Sequence, residues 1–315
     1  MAIEFASTAD QADQPLHFEE IAPKVYAATA EGDPNLLIVT GKSGVLVADT
    51  TATPVSAQRV IDRIRTISEA PFRFVVLSHY HAVRTLGASA YKGASVVASQ
   101  GTYELIAERG EADFKSEYGR FPRLFRGAES IPGLTWPDVV FRDDLTLHID
   151  DIEVRLISFG RGHTKGDTVI WLPEQKILFG GDAIDYHSTP YCGDAYLREW
   201  RQTLQRIRAL EPEVLVPGRG QAIHGHAACQ AAFDEMDTYL KDIYEITAEG
   251  ARQGSLKAAF AHAYPRLKEK YGEWFIFEHC IPFSISRAYD EATGIAEPRI
   301  WTAERDRELW AEVHG

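Results

Sequence analysis

Short runs of aliphatic and β-branched residues alternate with helical patterns along the chain. KVYAATA, NLLIVTG and GVLVADT are bounded by Gly, Asp, Pro or Asn, which predicts three strands. In VSAQRVIDRIRTI the apolar residues recur with helical spacing, which predicts a helix. FRFVVL then predicts a buried strand that runs directly into a group of histidines.

The second part of the chain repeats this alternation. VVFRDDLTLHIDDIEVRLISF and DTVIWLPEQKILFGG predict further strands, the latter pair as a hairpin, and REWRQTLQRIRAL predicts a helix. Two β-rich halves with outer helices predict a four-layer αββα sandwich rather than a doubly wound sheet. We expect a flexible segment over residues 1–15, the sandwich domain over 16–225, and a helical extension over 226–315 packed on the same domain.

Composition and charge narrow the class of protein. The 315 residues are 45% hydrophobic and 25% charged, which is typical of a globular protein. The formal charge of -13 argues against nucleic acid as a partner, because an acidic surface repels phosphate. We expect a small-molecule substrate instead. The helical extension also suggests a homodimer.

Cysteine usage and the N-terminal sequence bear on location. Cys192, Cys229 and Cys280 are few and widely spaced, so a reducing compartment is expected. The opening residues have neither the basic start nor the apolar run of a signal peptide. No segment approaches the roughly 20 apolar residues of a membrane span. These features predict a cytoplasmic protein without membrane contact.

Four short motifs carry candidate chemistry, and each follows a predicted strand. His79 and His81 are two residues apart in extended chain, so both imidazoles can face one ion. His163 lies in a Gly-His-Thr motif and Asp182 in a Gly-Asp motif. Arg219 lies in Pro-Gly-Arg-Gly. Each motif alone is ordinary turn chemistry, but the ordered set at strand ends is far more specific.

This ordered set resembles the metallo-β-lactamase-fold hydrolases between about Tyr26 and Gly220. In that family the motifs read HxHxDH, G-H-T/S, G-D and P-G-H-G. The resemblance implies that His79, His81 and His163 ligate a first metal. It also implies that Asp182 is the carboxylate that commonly bridges two metals. Asp49 matches a buried aspartate near the histidines, and Asn35 matches an early structural position.

The sequence departs from the family pattern at the second metal. Val83 and Arg84 replace the Asp and His that complete HxHxDH, and Arg219 replaces the last His. We therefore predict a divergent branch with one metal ion. In this hypothesis Arg84 and Arg219 supply fixed positive charge and bind a substrate anion or an oxyanion. The alternative is that the two arginines only neutralise Asp182.

The resulting functional hypothesis is a mononuclear metal-dependent hydrolase. The metal is zinc, with Fe²⁺ and Mn²⁺ as alternatives, and it activates water. Its ligands are His79, His81 and His163, and Asp182 is either the fourth ligand or a base. Arg84 and Arg219 complete the catalytic set. The expected substrate is a small, anionic ester, lactone, amide or thioester.

Two other functions stay open. Persulfide dioxygenases share the fold and bind Fe(II) through a facial triad, for which His79, His163 and Asp182 are the matching residues. The other alternative is a catalytically silent protein that binds an anion. Two further segments are less specific. Arg120, Arg123 and Arg126 suggest lid cations, and the segment with His279 and Cys280 suggests packing or a dimer contact.

Overall fold

The structure, a computed structural model, describes residues 4–30 and 32–315; Met1 to Ile3 and Glu31 lie outside it. Within these ranges two mixed β-sheets pack face to face and helices cover both outer faces. The αββα sandwich and the helical C-terminal part that the sequence predicts are therefore confirmed. None of the helices in the described ranges is long and apolar enough to cross a membrane.

The first sheet comprises the N-terminal strands. In spatial order they are β1 (His17–Ala22), β2 (Val25–Thr29), β3 (Leu36–Thr40), β4 (Val45–Ala48), β5 (Phe72–Val76), β6 (Ser95–Ser99) and β7 (Val139–Phe141). Strands β4 to β7 run parallel. Helices α1 (Pro54–Arg65), α2 (Ala82–Thr85) and α3 (Gln100–Arg120) lie among these strands in sequence. Val60 and Ile64 of α1 pack on the outer face of the sheet, as the helical spacing predicts.

The second sheet is built from the later strands. In spatial order they are β13 (Ile223–His224), β12 (Val214–Pro217), β11 (Ile177–Gly181), β10 (Val169–Leu172), β9 (Ile152–Ile157) and β8 (Asp144–Ile149). Only β11 and β12 pair in parallel within the described part of this sheet. The inner faces of both sheets share one apolar core, in which Leu37 and Val76 meet Val154 and Phe179.

Helices cover the outer face of the second sheet. They are α4 (Leu197–Arg208), α5 (His226–Ala251), α6 (Leu256–Tyr271) and α7 (Phe277–Ala292), and α8 (Ala303–His314) packs against α3, α6 and α7. Trp200 of α4 and Phe233 of α5 belong to the same buried cluster as Leu178 of β11. The C-terminal helices therefore share a core with the sandwich.

Two prolines in these helices differ from the sequence-based expectation. Pro265 and Pro282 predict helix breaks, yet they lie inside α6 and α7. A proline in a helix interior loses one backbone hydrogen bond and costs about 3 kcal/mol. In α7, 13 of 16 residues are buried, so tertiary packing offsets this cost. The breaks instead fall between the helices, at residues 252–255, 272–276 and 293–302.

The N-terminal segment is held by the arginines of the predicted lid. Arg123 pairs with Asp10 and Asp33, and Arg126 pairs with Asp13. These two cations therefore bind the segment that precedes β1, and their role in a lid stays a prediction. The flexibility of residues 1–15 stays a prediction, and its first three residues lie outside the described ranges.

Candidate metal centre

Loops at one edge of the two sheets bring the predicted ligands together. His79 and His81 follow β5, His163 follows β9, and Asp182 follows β11. One ligand atom of each of these four residues lies within 4.8 Å of the others. All four side chains are at most 3% exposed. The sequence motifs therefore converge on one buried cluster.

The first imidazole is oriented by a hydrogen-bond chain. Asp49 accepts hydrogen bonds from the backbone N–H and the hydroxyl of Ser78, each at 2.8 Å. The Ser78 hydroxyl oxygen lies 2.9 Å from Nδ1 of His79 and can accept its proton. This chain leaves the lone pair of His79 on Nε2, which faces Asp182 Oδ2 at 3.5 Å. Burial lowers the pKa of His79 well below its usual value, so the ring stays neutral.

The second imidazole is oriented by Asp194. Asp194 Oδ2 lies 3.2 Å from Nε2 of His81 and accepts a hydrogen bond from the Tyr80 hydroxyl at 2.7 Å. Its other oxygen accepts a bond from Arg109 at 3.0 Å. Burial alone would raise the pKa of Asp194, but these donors, His81 first, hold that pKa at about 2. The permanent carboxylate fixes the proton of His81 on Nε2 and leaves Nδ1 for an ion.

The third imidazole lies beside Asp167. Nδ1 of His163 is 3.6 Å from Asp167 Oδ1. The backbone N–H and the hydroxyl of Thr164 donate to the same carboxylate, which fixes its position. A carboxylate behind a ligating imidazole is the usual outer partner in metal sites.

The unpartnered nitrogens show that these residues fit a metal ion. Nε2 of His79 and Nε2 of His163 are buried without a hydrogen-bond partner among the described residues. Buried polar atoms left this way cost free energy unless a ligand satisfies them. Ligands of tetrahedral zinc are about 3.4 Å apart, which matches the 3.5 Å between His79 Nε2 and Asp182 Oδ2. A divalent cation satisfies the whole set.

Two guanidinium groups compensate the charge of Asp182. Arg84 Nη2 pairs with Asp182 Oδ1, and Arg219 Nη1 donates to Oδ2 at 3.1 Å. Burial by itself would raise the pKa of Asp182, but Arg84 and Arg219 hold it well below its ordinary value. A Cβ at Gly218 would collide with the same carboxylate, so glycine is required there.

The two arginines differ in how fully their donors are used. Arg84 is 0% exposed and also donates to the carbonyls of Asn35 and Gly218 and to Asp49. Arg219 makes one further bond, from Nε to the Gly32 carbonyl. The structure thus places both arginines on Asp182, and their catalytic roles stay a prediction.

Sequence reasoning missed the acids that hold α2, the short helix that carries Arg84. Asp113 and Glu117 of α3 accept hydrogen bonds from the backbone N–H groups of Ala82 and Val83. Carboxylates at a helix N-terminus satisfy its free N–H groups and its dipole. Their spacing of four residues on one helix face was the available signal.

Sequence reasoning also missed Asp185. Its carboxylate is buried and neither oxygen has a hydrogen-bond partner among the described residues. The backbone on either side is bonded to the Arg219 loop, because Gly218 N–H donates to Ile184 and Tyr186 N–H donates to Arg219. Burial first, and then the charge of Asp182, raise the pKa of Asp185 to about 7.

Comparison with known proteins agrees with this site. The model of the metallo-beta-lactamase superfamily matches residues 30–219. A type 2 metallo-beta-lactamase of Bacteroides fragilis is 26% identical over 216 residues, which are 64% of this chain and 78% of the relative. The alpha subunit of a 2,4-dinitroanisole O-demethylase of Nocardioides sp. (strain JS1661) is 23% identical over 261 residues, 81% of this chain and 72% of the relative.

Solved structures give the same fold. A metallo-beta-lactamase from Pontibacter korlensis has a TM-score of 0.58 at 25% identity, over 72% of this chain and 99% of its own. The sec-alkylsulfatase Pisa1 from Pseudomonas sp. has a TM-score of 0.69 at 16% identity, over 88% of this chain and 50% of its own. The chain belongs to the metallo-beta-lactamase superfamily, which confirms the resemblance seen in its motifs. Membership and the His-His-His-Asp cluster together support a metal-dependent hydrolase.

We predict that Asp194→Asn weakens metal binding by about 10- to 100-fold, the usual effect of losing an outer carboxylate partner. The amide no longer fixes the proton of His81 on Nε2. Competition with a chromophoric chelator measures the affinity, and Asp143→Asn, an exposed aspartate, is the control. Unchanged affinity in the Asp194 variant would mean that His81 is oriented by packing alone.

A second prediction concerns the pH dependence of the metal-free protein. The pKa of Asp185 is about 7 in the folded state against 3.8 for an ordinary aspartate. The folded state therefore keeps a proton that the unfolded chain releases, so this stabilisation is lost as pH rises toward 7. Asp185→Asn should raise the melting temperature more at pH 8 than at pH 5. Parallel pH curves for the variant and the wild type would refute this.

Proposed function

We propose that the protein is a hydrolase that uses one divalent metal ion, most simply zinc, bound by His79, His81 and His163 with Asp182 as fourth ligand. The observation that carries the proposal is the pair of unpartnered buried Nε2 atoms of His79 and His163. They lie in a cluster whose imidazoles have outer nitrogens that already face Ser78, Asp194 and Asp167. Such a preorganised set of imidazoles with outer partners is typical of a zinc site.

The arrangement around Asp182 supports a single ion. The Oδ1 atom pairs with Arg84, and the Oδ2 atom faces both Arg219 and His79. A second cation on Oδ1 would meet the guanidinium of Arg84 in a buried, poorly screened environment. Arg84 thus supplies there the positive charge that a second ion would bring.

The metal ion and Asp182 have different roles in this proposal. A metal ion in this position lowers the pKa of a bound water toward about 7. Asp182 is a poor proton acceptor, because Arg84 and Arg219 keep its pKa low. This favours the ligand role of Asp182 over the base role that the sequence leaves open.

The contacts also support different roles for the two arginines. Arg84 has both terminal nitrogens engaged by four acceptors, and its side chain is 0% exposed. Arg219 lines a cavity beside the metal centre and makes two hydrogen bonds to described residues. We therefore assign Arg84 to the charge balance of Asp182 and Arg219 to the substrate anion or the developing oxyanion.

The substrate class follows from this chemistry. We propose a small ester, lactone, amide or thioester that carries a negative group near the scissile bond. The names of the similar proteins extend the panel for the first activity screen to a β-lactam, 2,4-dinitroanisole and a secondary alkyl sulfate. Turnover by the metal-loaded protein, abolished by chelation and restored by zinc, tests the proposal.

The two alternative functions, an Fe(II) dioxygenase and a catalytically silent anion-binding protein, would use different sets of these residues. A facial triad of His79, His163 and Asp182 leaves His81 without a metal-binding role. In the structure, however, His81 is oriented by Asp194, whose Oδ2 atom lies 3.2 Å from its Nε2 atom. A silent anion-binding protein has no need of three oriented imidazoles. Oxygen consumption with bound iron would favour the dioxygenase. Cytoplasmic location and a homodimer formed through the C-terminal helices stay predictions.

We predict about one zinc per chain after saturation, because the second-site ligands are replaced by Val83, Arg84 and Arg219. His81→Ala should lose metal and activity together, since two imidazoles and a carboxylate bind zinc less well. Elemental analysis after gel filtration measures both. Two tightly bound ions per chain would contradict the mononuclear site, and a fully metallated His81 variant would favour the facial triad.

Variants of the two arginines should separate their roles. Arg219→Ala should keep its metal and lower kcat/KM by about 10²-fold or more, the usual loss for one oxyanion contact. Arg84→Ala should instead lower the free energy of unfolding by about 3–5 kcal/mol, because Asp182 loses a buried partner. Steady-state kinetics and chemical denaturation measure these effects. Normal kinetics for Arg219→Ala would leave both arginines as counter-charges only.

A further inference from the structure

The metal centre is closed to solvent in this conformation. His79, His81, His163 and Asp182 are 1%, 2%, 0% and 2% exposed. A substrate therefore reaches them only through an opening that forms when part of the surrounding wall moves.

A small internal cavity borders the metal centre. Arg219, which binds Asp182, lies on its wall, as does Tyr191, whose ring centroid is 5.6 Å from that of His81. Val83, two residues beyond His81, lies on the same wall. A substrate group in this cavity would be next to the ligands.

Another part of the cavity wall comes from the C-terminal extension. Ile276, His279 and Cys280 line it, at the beginning of α7. A separate cleft on the surface runs between the N-terminal segment and residues 272–279. Ile276 and His279 line this cleft as well. These two side chains are therefore the partition between the surface cleft and the cavity.

The backbone at Ile276 is strained. Its φ of 53° and ψ of 20° are left-handed, which is a rare conformation for a β-branched residue. The preceding residue is tied down, because Phe275 exchanges backbone hydrogen bonds with His187 and Thr189. Strain of this kind costs about 1–3 kcal/mol and persists where the surroundings enforce it. On the other side, the Ile276 carbonyl accepts hydrogen bonds from the N–H groups of His279 and Cys280, so the backbone is held on both sides of this residue.

We propose that Ile276 is a specificity-determining residue, which with His279 forms the gate between the surface cleft and the metal centre. When the Ile276 side chain swings aside, the surface cleft opens to the cavity, so the size of this side chain limits the size of a substrate that enters from the cleft. The part of this inference that concerns substrate rests on the proposed hydrolase function. The gate itself can be tested without it.

Cysteine labelling tests the gate without a substrate. Cys280 lies on the cavity side of the partition and is 1% exposed. Its labelling by methyl methanethiosulfonate, followed by peptide mass spectrometry, should be about tenfold faster in Ile276→Ala, because labelling of a buried thiol tracks the population of open states. Ile276→Gly, which also relieves the left-handed strain, should label at least as fast.

Two controls separate gate opening from general loosening. Ile67→Ala makes the same substitution at an exposed position outside the cleft and cavity, and should label like the wild type. Cys229 is buried in α5, away from the gate, and reports global opening in the same sample. The gate is refuted if Cys280 labelling is unchanged in both Ile276 variants, or if Cys229 labelling rises in parallel.

A substrate series tests the consequence for specificity. With metal-loaded protein, wild-type kcat/KM should fall steeply as an ester series lengthens, and Ile276→Ala should raise kcat/KM for the longer members about tenfold relative to the shortest. An identical size profile in both proteins refutes the specificity role. Faster labelling of Cys280 without any turnover would retain the gate and count against the proposed hydrolase function instead.

Discussion

The carboxylate of Asp182 is a buried charge, and much of the site exists to accommodate it. An ion taken out of water costs several kcal/mol unless opposite charge and hydrogen bonds compensate it. Arg84 and Arg219 provide that compensation from two different loops. Arg84 is itself fully buried and needs acceptors, which it finds in the carbonyls of Asn35 and Gly218. Loops from both sheets are therefore joined through one carboxylate.

The helices also help to hold Arg84 in the position from which it compensates the charge of Asp182. Arg84 lies on α2, and Asp113 and Glu117 fix the N-terminus of that helix from α3. At the end of α3, Arg120 is buried and pairs with Asp306 of α8 at 3.4 Å. Helix α3 therefore contacts the helix of Arg84 near its C-terminal half and α8 through Arg120, so one helix links the surroundings of the metal centre with the last helix.

The predictable part of the site was the part with a local pattern. His79 and His81 are recognisable from a spacing of two at a strand end, and His163 and Asp182 from short motifs at further strand ends. Asp194 has no such signal, because it reaches His81 from 113 residues away in sequence. Burial also decides some local structure that the sequence pattern does not, since Pro282 lies inside α7, where 13 of 16 residues are buried.

The contacts of Arg84 have a consequence for how readily this position can be substituted. A guanidinium there serves four acceptors at once, and histidine is too short to serve them. Replacing Arg84 by His would remove the hydrogen bond to the Asn35 carbonyl and both ion pairs, with Asp49 and Asp182, while the Gly218 carbonyl would keep its bond from the Asn35 N–H. Conversion of these positions to the two-metal motif of the family therefore requires coordinated substitutions rather than Arg84→His alone. The number of acceptors that one guanidinium serves thus limits which single substitutions this position tolerates.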